Sequence, residues 1–205
     1  MDAKKFPEFD SIKDDNETIL WLGKPKFFPY LFADLGQGLL TLAFGILWIF
    51  FAFTFNAEDS QSPGSFFWLF GLLPVAVGLV KFLNRVLSYP NTAYAYSNRR
   101  VMMRTGFVGT DFKIIDYDKI SDIEVTVNVV EKMCGVGTIR FFSGRTKTED
   151  DSTTKLYDMW ASIENPYAVF KMVKQTSVDI KTDYNYPNAL RPETNPGYHT
   201  TYNRT

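Results

Sequence analysis

The sequence predicts an α+β protein in two parts: a two-helix transmembrane hairpin, then a small antiparallel β domain closed by one helix. Three observations predict it. Leu35–Phe55, LGQGLLTLAFGILWIFFAFTF, contains no Lys, Arg, Asp, Glu or His. A second apolar run, Phe66–Val80, follows a polar interval, Asn56–Ser65. From Ser88 onward the pattern becomes short β-type runs, and at Asn165-Pro166 it turns to helical spacing.

Whole-chain averages conceal this division. Mean hydropathy is -0.14 and 22% of residues are charged, as in a water-soluble protein. The apolar window, however, carries almost none of that charge. Phe and Trp concentrate there, whereas Tyr lies mostly outside it. A net charge of -1 gives no support for a nucleic-acid surface. The single cysteine, Cys134, excludes an intrachain disulfide and a cysteine-based metal site. The length leaves room for one soluble domain of about 100 residues beside the membrane part.

Residues 1–30 do not read as a cleavable signal peptide, because the apolar run starts late and Asp10, Asp14, Asp15 and Glu17 precede it. Met1–Asn16 is polar and expected to be loosely ordered. Ile19–Leu22 is short and apolar, closed by Gly23 and Pro25, and reads as an edge strand or a membrane-surface segment. Phe27–Phe32, beside Lys24 and Lys26, has the aromatic-plus-cation make-up of a water–lipid interface, or is a plain aromatic linker.

At about 1.5 Å rise per residue, Leu35–Phe55 covers the roughly 30 Å hydrocarbon core of a bilayer. Inside lipid its backbone groups must pair internally, so it is expected to be a helix. The alternative is a buried helix of a soluble core. Phe66–Val80, extended past Lys81 by Phe82 and Leu83, forms the second span, with Lys81 snorkelling and Pro74 producing a kink. The short connection makes the two spans an antiparallel hairpin. Gly38, Gly45 and Ala52 recur every seven residues, and Gly71 and Gly78 do the same, so both helices present a small-residue face for packing. Lys24 and Lys26 lie before the first span, and Lys81 and Arg85 at the end of the second. The loop between carries Glu58 and Asp59, so both termini are expected in the cytoplasm.

In the next region, Thr92–Tyr96 and Val101–Arg104 read as strands around a turn at Ser97-Asn98-Arg99. Phe112–Tyr117 is a further strand. Ile120–Val130, with Ile123, Val125 and Val127 alternating against polar neighbours, reads as one half-buried strand. Gly135 and Gly137 bracket a bend before a strand at Thr138–Phe142. Ser143–Thr153 reads as a polar loop and Lys155–Trp160 as a strand. Asn165 as N-cap and Pro166 at the first position open a helix expected to end near Ser177.

The chain resembles the membrane-anchored branch of the bacterial pleckstrin-homology-like (bacterial PH domain) family. The resemblance rests on Glu17–Pro25 (ETILWLGKP), the hairpin, Thr92–Val101 (TAYAYSNRRV) followed by Gly106, Ile120–Ile123 (ISDI), Cys134–Ile139 (CGVGTI) and Ile163–Pro166 (IENP). It covers residues 17–178 and implies a small β-barrel or bent sandwich capped by the C-terminal helix, without catalytic residues. Four parts follow: a cytoplasmic leader with an interfacial segment (1–34), the transmembrane hairpin (35–87, spans about 35–55 and 66–83), the PH-like domain (88–178) and an extended or disordered tail (179–205). The acidic loop Glu149–Asp151 and the tail depart from the family pattern.

No constellation of residues reads as an active site, and no cofactor or metal is expected. His199 lies in the tail away from any Cys or carboxylate cluster. Cys134 has no candidate base and reads as a small buried side chain. Asp116, Asp118 and Asp122 lack the glycine and terminal Glu of a calcium loop. Arg99, Arg100 and Arg104 cluster near the second span and are the candidate lipid-headgroup residues, with Arg140, Arg145 and Lys147 a second basic group. Against a lipid role, Ser88–Val178 holds 12 basic and 11 acidic residues, which nearly cancel. The expected function is that of a non-enzymatic integral protein of the bacterial inner membrane. It would present the PH-like domain as scaffold or accessory subunit of a membrane complex, with a membrane protein or a second copy as partner. The alternative is an anionic-lipid-recognition module in envelope stress or lipid homeostasis.

Overall fold

The computed structural model describes residues 6–32, 35–56, 68–149 and 152–185. The expected return loop from residue 57, the start of the second span at Phe66, Asp150 and Asp151 of the acidic loop, and the tail from residue 186 with His199 lie outside the described residues. The chain forms two compact units: Phe27–Pro90, and the segment ending at Lys26 together with the chain from Asn91 onward.

The Phe27–Pro90 unit consists of α2 (Phe27–Phe32), α3 (Leu35–Asn56) and α4 (Leu69–Ser88). The helices α3 and α4 run antiparallel through a seam of small residues. A Cβ on Gly45 would come within 2.7 Å of Val75 and 2.9 Å of the Gly71 carbonyl oxygen. One on Gly71 would come within 2.6 Å of Ile49, and one on Gly78 within 2.7 Å of Leu42. All are closer than a Cβ tolerates, so glycine is what lets these helices approach. Ala52 is buried and Gly38 half-buried. The opposite faces expose Leu40, Phe44, Leu47, Phe50, Phe70, Leu73 and Val80. Pro74 lies inside α4, which continues past Leu83 to Ser88. Among the described residues one helix, Leu69–Asn91, is long and apolar enough to cross a membrane, and Leu40–Thr54 forms a shorter apolar helix.

The other unit holds two open antiparallel sheets in place of a closed barrel. The first has the order β1 (Ile19–Gly23), β2 (Ala93–Ser97), β3 (Arg100–Thr105), β4 (Asp111–Asp116); the second has β5 (Asp122–Thr126), β6 (Val136–Glu149), β7 (Ser152–Glu164). Their shared core brings Tyr94, Tyr96, Val101, Met103 and Ile115 from one sheet against Ile139, Phe141, Trp160 and Ile163 from the other. Helix α6 (Pro166–Asn185) closes this core with Val169 and Val173. Trp160 is fully buried in an aromatic cluster, stacked 5.2 Å from Trp21 and 5.9 Å from Tyr94, with the Phe141 ring edge-on at 4.9 Å.

Four features differ from the sequence expectation, each for a physical reason. The leader folds: Pro7 opens a short helix, α1 (Pro7–Ile12), which places Phe6 and Phe9 on Ala93, Ala95 and Met102. The outer face of the first sheet is thereby buried too. The strand expected over Ile120–Val130 stops at Thr126, and Asn128 caps a helix, α5 (Val129–Cys134). Its side chain accepts the Glu131 N–H while the Glu131 carboxylate accepts the Asn128 N–H, and Gly135 ends the helix in the left-handed conformation. Ser143–Glu149 is not a loop but the outer half of β6, of which Thr146–Glu149 pairs with Ser152–Lys155 of β7 in a polar ribbon. Finally, α6 runs beyond Ser177 to Asn185, so the tail does not begin at residue 179: Ile180 packs on the core and the Lys181 ammonium donates to the Ile120 carbonyl.

Candidate functional site

The densest polar constellation lies where the leader meets the β2–β3 hairpin. Glu17, immediately ahead of β1, has a fully buried side chain, and Arg100 at the start of β3 is 15% exposed. The Arg100 guanidinium grips the carboxylate with Nε 2.9 Å from Oε1 and Nη2 2.5 Å from Oε2, a two-pronged geometry that suits arginine. Ser97 Oγ donates to Oε1 at 2.5 Å and the Asp14 N–H to Oε2 at 2.9 Å. The Ser97 hydroxyl also accepts the Arg99 and Arg100 N–H groups, which fixes the hairpin turn. Beneath it the buried Tyr117 hydroxyl donates to the Ser97 carbonyl.

Burial alone would raise the Glu17 pKa, but the hydrogen bonds from Arg100, Ser97 and Asp14 and the Arg100 charge outweigh it and hold it below its ordinary value. The Glu17 hydrogen bonds in turn push Arg100 upward against its own burial. Burial also raises the Tyr117 hydroxyl, with lesser contributions from Tyr96 and Glu17, so it is a neutral donor.

Each of the three arginines assigned to lipid headgroups by sequence faces a leader carboxylate. Arg99 reaches Asp14 at 3.3 Å, Arg100 reaches Asp14 and Glu17, and Arg104 reaches Glu8 at 2.9 Å while lying 5.2 Å over the Phe6 ring. Only Arg99 keeps substantial side-chain exposure, 39% against 9% for Arg104. In the second basic group Arg145 pairs with the buried Asp158, which also receives Lys113 across the sheets, and Arg140 lies over the Tyr157 ring. Of the helix-packing residues, Gly45, Gly71 and Gly78 lie in the hairpin seam, while Ala52 is buried and Gly38 half-buried. Sequence reasoning missed Glu8 and Glu17 because their partners are 96 and 83 residues away.

Cys134 is half-buried at the end of α5, its carbonyl accepting the Lys26 ammonium at 3.3 Å. A cleft of about 670 Å³ opens beside it, lined by Val127, Lys132, Val136 and Pro166. It brings no acid, base and nucleophile together. Among the described residues no group of three His, Cys, Asp or Glu side chains is placed to hold a metal ion.

Fold and clamp together define a small α+β domain of two sheets and a closing helix, joined in one chain to an apolar helical hairpin. The model described as bacterial PH domain matches residues 32–159, more than half of the 205-residue chain. The chain belongs to this family, and the matched segment runs from the end of α2 through most of β7. No curated protein and no solved structure gives a match. Membership points to an interaction or lipid-binding module.

Proposed function

We propose that this is a non-enzymatic integral membrane protein whose PH-like domain docks a protein partner, as scaffold or accessory subunit of a membrane complex. In this reading α3 and α4 cross the bacterial inner membrane as a hairpin with both termini cytoplasmic. The observation that carries it is the hairpin's burial pattern: small residues face the seam while large apolar side chains face outward. In water such a surface is an aggregation hazard; in lipid it is the expected outer face. Lys24, Lys26, Lys81 and Arg85 near the hairpin's ends support the orientation.

The alternative, recognition of anionic lipid, needs cationic groups able to meet a phosphate. Arg100 and Arg104 are engaged by carboxylates, which favours a protein partner. Purification of the full chain in mild detergent, followed by mass determination of the protein component, tests the proposal. It predicts a co-purifying membrane protein or a defined oligomer, and a lone monomer contradicts it. Lipid analysis of the full chain purified in mild detergent tests the alternative, which requires anionic lipid to co-purify with the unaltered chain and clearly less of it with the Arg99→Glu variant.

A further inference from the structure

The three most exposed large apolar side chains among the described residues are not in the hairpin. They are Val108 at 89%, Met133 at 84% and Val129 at 77% exposure, all in the β-sheet unit. Val108, with the half-exposed Phe107, forms the tip of the β3–β4 turn. Val129 and Met133 lie on α5, next to the exposed Lys132. The α5 exposure does not come from a frayed end. The helix is held by its capping box, by Gly135, and by Thr138 Oγ1 donating to the buried Glu131 carboxylate at 2.6 Å.

The backbone at the base of each tip is bonded to a residue at which the chain passes between the two units. Lys26, the last residue before Phe27, donates its N–H to the Ser162 carbonyl at 2.9 Å. Its ammonium meets the Cys134 carbonyl at the end of α5 and Glu164 at 3.3 Å. Asn91, the first residue after Pro90, donates from Nδ2 to the Gly106 carbonyl at 3.2 Å, at the base of the β3–β4 turn. Each connection to the Phe27–Pro90 unit therefore starts from a residue bonded at the base of an exposed apolar tip.

We propose that the β3–β4 tip (Phe107, Val108) and the α5 tip (Val129, Met133) insert into the headgroup–acyl boundary of the bilayer, giving the domain a two-point contact with the lipid surface. This rests on the reading that α3 and α4 cross that bilayer. The occupant follows from chain continuity: if the hairpin is in lipid, Lys26 and Asn91 lie a short run of chain from its surface, and so do the Cys134 and Gly106 carbonyls bonded to them at the base of each tip. The composition fits, since apolar tips flanked by Lys132 and Lys26 can bury carbon while their ammonium groups stay among headgroups.

The test uses the full chain reconstituted in phosphatidylcholine–phosphatidylglycerol vesicles. In a Cys134→Ser background, single cysteines replace Val108, Met133, Leu73 on α4, and Thr153, and each carries a spin label. Collision with lipid-soluble oxygen is compared with collision with a water-soluble nickel chelate. Thr153 pairs with Thr148 at the far end of β6 and β7, a strand length of roughly 40 Å from α5, and serves as the aqueous reference. The proposal expects oxygen to dominate at Leu73, Val108 and Met133, and the chelate to dominate at Thr153. If Leu73 is in lipid while Val108 or Met133 matches Thr153, the two-point contact is overturned and the spanning hairpin stands. If Leu73 also matches Thr153, both fail together.

Discussion

The two units bury opposite kinds of residue. In the sheet unit the interior is built of Trp160, Tyr117, Phe141 and Ile163, and charged groups at its margin find partners. In the hairpin the seam holds Gly45, Gly71 and Gly78, while Phe and Leu point outward. Both parts come from one chain, so amino-acid supply does not explain the difference. The sheet unit gains stability by hiding large apolar side chains from water, and the hairpin by close backbone approach. The second strategy suits a medium as apolar as its own side chains.

The sheet unit is most sensitive at its largest buried side chain. Trp160→Ala should cost the sheet unit roughly 3–5 kcal/mol, read as a loss of near-ultraviolet dichroism and a lower denaturant midpoint. Arg100→Ala should cost on a similar scale, about 3 kcal/mol, because it strands the buried Glu17 carboxylate. The pair also sets an acid limb. The folded Glu17 pKa lies below its ordinary value of 4.5, so the pair's stabilisation is complete above that value and declines as pH falls toward the lower folded one. Glu17→Gln should therefore flatten this part of the stability profile below about pH 4.5 and leave no added slope between neutrality and that point. In the hairpin the order of sizes inverts. Gly45→Ile should loosen helix packing by about 1–3 kcal/mol, measured as proximity of labels on α3 and α4. Leu73→Phe, on the outward face, should change that proximity little, within about 0.5 kcal/mol.

Much of this contrast was legible in the sequence because it is periodic. The seven-residue spacing of Gly38, Gly45 and Ala52 marks one helix face, and the β-prone runs from Thr92 to Tyr117 fall where β2, β3 and β4 lie. The features that escaped are those without periodicity. Phe6 and Phe9 are two apolar residues in a polar leader, and only the sheet they cover gives them meaning. The Asn128–Glu131 capping signal was present, but the β-branched run before it extended the apparent strand. The outer β6–β7 ribbon is polar on both faces, since Thr146, Thr148, Thr153 and Thr154 pair without a core to alternate against. At the candidate site, the basic cluster was visible as Arg99, Arg100 and Arg104. That carboxylates from the leader neutralise it is a property of the fold, because long-range ion pairs leave no local pattern.

Alkaline carbonate extraction of membranes carrying the full chain probes the inverted burial of the hairpin. The protein should stay with the sedimented lipid alongside integral markers, because α3 and α4 would present their large apolar side chains to hydrocarbon. Release of the folded chain into the supernatant would contradict it.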